Sequence, residues 1–425
     1  MARCELKSFQ LAALKRTITC ALRTDFYNKR LKDVGINSPD DIRSLDDIRK
    51  IPFTSKYDLR AAFPYGMLAT NKDDVIRLHA SSGTTGIPTT IYFNRNDIDA
   101  WTALVARSIF ATGCNKQDVF QNMITYGLFT GGFGFHYGAE AVGMLVIPSG
   151  SGNTSRQLRL MQDFETTVVH ATPSFLLHTE SKMKEEGILR DSLCLKRAFA
   201  GAEPYSEDTR LRIEELLQIE VFNSYGLSEM NGPGVAFECQ CKSGMHLWED
   251  AFLAEIIDPE TLEPLPDGET GELTLTTLCR EAMPILRYRT RDITSFYTEV
   301  CQCGRTHRRI HRIKGRSDDM LIINGVNIFP SQIEEVVMGI KEAGNNYLII
   351  VEKEGFLDRL TVKTEVNPDT FRDDTRKLNV LREKIRHKLQ NTITINPKVE
   401  LVESNSLPVS EGKAKRVIDN RPKDV

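Results

Sequence analysis

The chain has 425 residues, a length that fits about two to three domains. Its 55 basic and 58 acidic residues leave a net charge of −3, which argues against a general nucleic-acid or anionic-membrane binder. A hydrophobic content of 40% supports a large core. No apolar run approaches the roughly 18 residues of a spanning helix, and residues 1–30 lack a signal-peptide core. The odd count of nine cysteines fits a reducing cytoplasm better than a disulfide scaffold.

Residues 1–60 read as amphipathic helix, with Leu11, Leu14, Ile18 and Leu22 at helical spacing. From 75 to 280, short apolar runs such as 144–148 and 167–171 alternate with helical stretches. That pattern predicts α/β layers with a parallel or mixed sheet. From about residue 319 the chain reads as a smaller α+β unit. Asn324-Gly325 between two apolar runs predicts a hairpin. Ser331-Gln332-Ile333-Glu334 predicts a capping box opening a helix. Strands follow at 347–351 and 360–362, then a helix carrying Leu378, Leu381, Ile385 and Leu389.

Three motifs carry nucleotide chemistry. Ser81-Ser82-Gly83-Thr84-Thr85-Gly86 combines glycines, which let successive amides point at one anion, with four hydroxyls. It is not a Walker loop, because Ile87 rather than lysine follows Gly86. In Asn223-Ser224-Tyr225-Gly226-Leu227-Ser228-Glu229 an aromatic can stack on adenine and a carboxylate can hold Mg²⁺. In Tyr288-Arg289-Thr290-Arg291-Asp292, the carboxylate of Asp292 can accept bonds from ribose hydroxyls. Each has an ordinary structural alternative: a turn, a buried tyrosine, an ion-paired strand end. Separately, Cys239-x-Cys241-x₄-His246 and Cys301-x-Cys303-x₃-His307 cluster metal-binding residue types. Alone, these clusters leave a zinc-dependent nucleic-acid binder open, and the charge balance and the nucleotide motifs stand against it.

The three motifs occur in order and are followed by Gly315-Arg316-Ser317-Asp318-Asp319 and Glu411-Gly412-Lys413-Ala414-Lys415-Arg416. With residues 51–60, the aromatic and glycine-rich 126–138 segment, Gly201-Ala202-Glu203-Pro204 and Gly232-Pro233-Gly234-Val235, the chain resembles the adenylate-forming acyl-CoA synthetase superfamily. More closely, it resembles the phenylacetate–coenzyme A ligase family, from about residue 26 to 421. The resemblance implies an α/β fold with a large N-terminal AMP-binding domain, 1–316, opened by the helical segment 1–60. A small mobile α+β lid, 317–425, follows. It implies ATP, Mg²⁺ and coenzyme A as cofactors, an aryl acid such as phenylacetate as substrate, and a homodimer. The alternative is adenylation of another acid (indoleacetate, a benzoate or a cofactor carboxylate), with or without a coenzyme A step.

By residue, the resemblance implies Lys413 and Glu229 as catalytic. Thr85 and Glu229 would serve Mg²⁺. Ser81, Ser82, Gly83, Thr84, Thr85, Gly86, Gly201, Ala202, Glu203, Pro204, Asn223, Ser224, Tyr225, Gly226, Ser228, Asp292 and Arg316 would hold ATP or AMP. Tyr126, Phe129, Phe133, Phe135, His136 and Ala202 would line the acid pocket, where aromatics and glycines make a flat slot. Asn324 and Gly325 would face coenzyme A, and Asp318 would be the hinge. Zinc-containing relatives point to Cys239, His246, Cys301 and Cys303 as ligands, with Cys241 as the alternative.

Overall fold

The computed structural model describes residues 1–81, 88–355, 357–367, 375–408 and 414–422. The Ser82–Gly86 part of the first motif and Lys413 lie outside them. The chain divides into two compact units: 1–150 with 222–312, and 151–221 with 313–425.

In the first unit, helices Arg3–Ala21 and Asp25–Asp33 realise the predicted N-terminal helical segment. Leu14 and Ile18 are fully buried in a cluster with Tyr27, Leu31, Ile36 and Ile48, while Leu11 and Leu22 pack at its margin. Strands Arg77–Ser81 and Thr89–Phe93 form an antiparallel pair in which Ser81 faces Thr89. Strands Val119–Asn122 and Leu145–Ile147 pair in parallel. Glu220–Leu227, Gly232–Glu238, Met245–Leu247 and Arg309–Ile310 form an antiparallel run. Phe252–Ile257, Gly271–Thr277 and Tyr288–Thr294 form a second one.

Helix Thr130–Val142 carries the glycine-rich motif. A Cβ on Gly134 would lie 2.6 Å from the Trp101 side chain, and one on Gly138 2.6 Å from that of Val105. Both neighbours belong to helix Arg95–Ala111. Gly134 and Gly138 therefore let two helices approach closely. Arg280 is fully buried. It donates to Asn231 Oδ1 at 2.7 Å and to the Tyr92 carbonyl at 2.6 Å, and its Nε lies 3.9 Å from Asp97 Oδ2.

In the second unit, parallel strands Val168–Ala171 and Arg197–Ala200 are followed by helices Pro173–Glu185 and Glu207–Leu217. The C-terminal part is a four-stranded mixed sheet ordered Lys398–Val402, Leu357–Val366, Ala343–Glu354, Val417–Asp419. Its apolar face packs on helices Pro330–Met338 and Thr375–Ile393 through Ile333, Val337, Ile349, Val362, Ile385 and Leu389. The two edge strands follow polar or short apolar stretches, and periodicity did not reveal them. The predicted hairpin is Leu321–Ile323 with Val326–Ile328, turning through Asn324 at φ 50° and Gly325 at φ 82°.

The expected capping box is displaced. Pro330 takes the first helical position, so Gln332 Oε1 accepts the Phe329 N–H at 2.9 Å. Glu334 is left inside the helix, where it is buried.

Candidate active site

Strand Glu220–Leu227 and the turn Ser228–Met230 deliver the second motif. Tyr225 and Asp292 are both buried, and the Tyr225 hydroxyl donates to Asp292 Oδ2 at 2.5 Å. Two residues assigned to adenine and ribose thus form one unit, 67 residues apart in the chain. A short bond to a carboxylate fixes both side chains. Gly226 has to be glycine, because a Cβ there would collide with the Gly232 carbonyl. Asn223 donates its backbone N–H to Glu238 Oε2 at 2.7 Å, and Ser224 pairs with Phe237 in the sheet. The Ser228 hydroxyl lies 3.2 Å from that of Thr130.

Glu229 is buried, and the Lys56 ammonium lies 3.9 Å from its Oε1. In the sequence, Lys56 lies within the 51–60 likeness. Nothing local to its sequence marks it as the partner of a carboxylate far along the chain. At the head of the phosphate motif, Ser81 Oγ is buried and has no hydrogen-bond partner among the described residues.

Around the acid-pocket candidates, Tyr126 and Phe133 meet edge to face at 5.3 Å. The Tyr126 hydroxyl receives an N–H from Asn122 at 2.8 Å and lies 3.2 Å from His136 Nδ1. Burial pushes its phenol pKa up to about 12, so it stays a neutral hydrogen-bonding group. His136 Nε2 faces Glu140 at 3.1 Å. Phe129 precedes the helix, with its ring against Gly131. Phe135 is buried, with its ring against Phe120 and Phe237.

Sequence reasoning passed over two residues here. The Arg77 guanidinium stacks over Phe133 at 4.7 Å and donates to the Tyr137 hydroxyl at 2.8 Å. His79 is fully buried, 5.7 Å from the Phe133 ring. Its Nδ1 is 3.1 Å from the Leu128 carbonyl, and burial lowers its pKa to about 4. The available signal was the strand period of two: Arg77, His79 and Ser81 share one face.

In the second unit, the 201–204 turn joins strand Arg197–Ala200 to helix Glu207–Leu217. Gly201 is buried and Pro204 exposed. Ala202 holds φ 67°, a left-handed conformation costly for alanine. Glu203 accepts two backbone N–H groups, from Ser174 at 2.7 Å and from Ala414 at 2.9 Å. Arg316 forms a two-point ion pair with Asp318 at 2.9 Å, which links the expected ribose contact to the expected hinge. The Asn324-Gly325 turn is braced by Asp358: Asn324 Nδ2 donates to its carbonyl at 2.8 Å, and Asn324 Oδ1 accepts its N–H at 2.7 Å.

Cys239, His246, Cys301 and Cys303 converge, with their ligand atoms all within 4.8 Å of one another. The register places Phe237 beside His246, which brings Cys239 to the histidine, and Arg309 beside His246 on the other side. Cys239 and Cys301 sulfurs are 3.7 Å apart, and Cys303 Sγ is 3.3 Å from His246 Nε2. Cys241 is exposed and outside the cluster.

The chain matches two family models. "AMP-binding enzyme" covers residues 25–278 and "AMP-binding enzyme C-terminal domain" covers residues 325–421. A phenylacetate-coenzyme A ligase of Thermus thermophilus is 43% identical over 99% of this chain and 98% of its own length. Another, from Aromatoleum evansii, is 45% identical over 99% and 96%. A crystal structure of 2-hydroxyisobutyryl-CoA ligase, in the postadenylation state with an acyl-AMP, matches with a TM-score of 0.93 and 27% identity. That match covers 99% of this chain and 90% of the other. The same enzyme with acyl-AMP and CoA in the thioesterification state gives 0.72 and 28%, covering 99% and 91%. Among the described residues, no helix is long and apolar enough to cross a membrane. Identity above 40% along the whole length, over a fold that brings Tyr225 to Asp292 and Cys239 to His246, places the chain in the phenylacetate-coenzyme A ligase family of AMP-binding enzymes.

Proposed function

We propose that this chain, a cytoplasmic enzyme, ligates phenylacetate to coenzyme A in two half-reactions. The carboxylate attacks the α-phosphate of ATP, giving phenylacetyl-adenylate and pyrophosphate. The thiol of coenzyme A then attacks the adenylate carbonyl and releases AMP. The near-full-length likeness to phenylacetate-coenzyme A ligases carries this reading.

The first step brings two anions together, so positive charge has to be fixed beforehand. We assign Lys413 as the cation at the carboxylate and α-phosphate, since lysine is a compact charge on a flexible stem. Mg²⁺, when bound, supplies further charge neutralisation at the phosphates, with Thr85 and Glu229 as its protein ligands. Lys56 sets a positive charge 3.9 Å from the Glu229 carboxylate. The 81–86 loop would cradle phosphates. Tyr225 and the backbone of the 201–204 turn would hold adenine, with Asn223, Ser224, Gly226 and Ser228 shaping the strand end. Asp292 and Arg316 would hold ribose. Tyr126, Phe129, Phe133, His136 and Ala202 would surround the aryl acid, with Arg77 stacked behind Phe133. Residues 317–425 would form a lid that moves about Asp318 between half-reactions, bringing Asn324 and Gly325 to coenzyme A.

The Cys₃His cluster fits structural zinc. Bonds of about 2.3 Å to sulfur in a tetrahedron set sulfur–sulfur edges of about 3.8 Å, close to the 3.7 Å between Cys239 and Cys301. Its role would be to tie the loops after strands Gly232–Glu238 and Tyr288–Thr294 together. A homodimer is the proposed assembly, checked by light scattering.

The test is ATP–pyrophosphate exchange with phenylacetate, indoleacetate, benzoate and acetate. Phenylacetate should give the highest kcat/KM. A clear preference for another acid would reassign the substrate.

A further inference from the structure

Within the second unit, the C-terminal segment grips residues 203–209 at two points. At one, the Glu203 carboxylate joins the N-terminal turn of helix Pro173–Glu185, through the Ser174 N–H at 2.7 Å, to the Ala414 N–H at 2.9 Å. Ala414 directly follows Lys413 in the chain. At the other, buried Glu334 accepts the Ser206 N–H at 3.0 Å and the Thr209 hydroxyl at 2.6 Å. The two grips are connected. Arg416 stacks on Tyr347 at 4.6 Å and donates to the Tyr347 carbonyl at 3.2 Å, and the Tyr347 hydroxyl reaches Glu334 Oε2 at 3.5 Å.

We propose that Glu203 is a positioning residue for the adenylation step: it tethers the backbone beside Lys413 to the 201–204 turn and touches neither ATP nor acid through its carboxylate. The inference rests on the adenylation reading of Lys413 and adds a device specific to that half-reaction. Two acceptor oxygens are needed for two opposed N–H donors. Glutamine offers one oxygen and turns an NH₂ toward the other donor, so it cannot replace the tether. A lysine on a flexible stem delivers its charge accurately only if its backbone is anchored, and misplacement by about 1 Å can cost about 100-fold in rate. Once the lid leaves for thioesterification, the tether has no further task.

The experiment uses the full chain with E203Q and, as a second variant, A414P, which removes the donor N–H. Pyrophosphate exchange is measured against ATP and phenylacetate. Thioester formation is measured separately from synthetic phenylacetyl-adenylate plus coenzyme A. Both variants should lose about 10- to 100-fold in exchange kcat, with KM for ATP and thioester formation each within about twofold of the parent chain. A raised KM for ATP at unchanged kcat would make Glu203 a nucleotide contact and overturn the tether. Equal losses in both half-reactions would reduce it to a structural role, and full exchange in A414P would remove the tether outright. Absence of exchange in the parent chain with any acid would instead overturn the adenylation reading itself.

Discussion

Removing a single oxygen from Tyr225 tests whether the Tyr225–Asp292 pair organises the nucleotide site. In Tyr225→Phe the ring stays, so the proposed stacking on adenine would be kept. The lost group is the hydroxyl that donates to Asp292 Oδ2 at 2.5 Å in a setting where both side chains are more than 90% buried. A hydrogen bond to a charged acceptor contributes about 1.5–3 kcal/mol, and a buried carboxylate deprived of a donor loses an amount of that order. If this bond orients Asp292 for the ribose hydroxyls, KM for ATP should rise about 10- to 150-fold. KM for the acid should stay within about twofold. The assay is pyrophosphate exchange with ATP varied at saturating phenylacetate. Asp292→Asn, which keeps an acceptor for the hydroxyl but removes the charge, should fall between the two. A KM for ATP within twofold of the parent in Tyr225→Phe would refute the reasoning, and the pair would then be core packing only.

Further outcomes follow from the same structure. His79 has a folded pKa near 4 against an ordinary 6.5, so the unfolded chain takes up its proton first as pH falls. Its contribution of about 3 kcal/mol is present above pH 6.5 and lost on acidification toward pH 4. His79→Gln should flatten that part of the stability–pH curve in urea titrations, and an unchanged slope would exclude the effect. Protein purified without chelator should carry stoichiometric zinc by elemental analysis, and Cys303→Ser should release it and lower the melting temperature. Equal metal content in the two would discard the site. Arg280→Met should cost about 3 kcal/mol or more in unfolding free energy, because it strips a fully buried guanidinium from Asn231 and Asp97. A cost below about 1 kcal/mol would show the site relaxes freely.

What the sequence made legible was mostly local. Asn324-Gly325 announces its own turn because both residues adopt positive φ at little cost. Leu14 and Ile18 fall at helical spacing and are fully buried. The four zinc-type ligands could be suspected because thiols and imidazole cluster in two short stretches, though only the strand register separates Cys239 from Cys241. What stayed hidden depends on pairing at a distance. Lys56 and Glu229, Glu203 and Ala414, and Tyr225 and Asp292 are brought together by sheet order and helix packing, which no local pattern encodes. Phe135 and the glycines of helix Thr130–Val142 could be read two ways from sequence. An aromatic and small-residue motif serves helix packing as readily as a ring slot, and burial alone distinguishes the two. The cap at Ser331 failed because Pro330 takes the first helical position and moves the cap two residues earlier, to Phe329.

The most direct measurement is product analysis of the complete reaction with ATP, Mg²⁺, phenylacetate and coenzyme A. The account predicts phenylacetyl-CoA and AMP in equal amounts, with pyrophosphate as the other product. Formation of ADP and phosphate, or AMP release that leaves coenzyme A unconsumed, would contradict it.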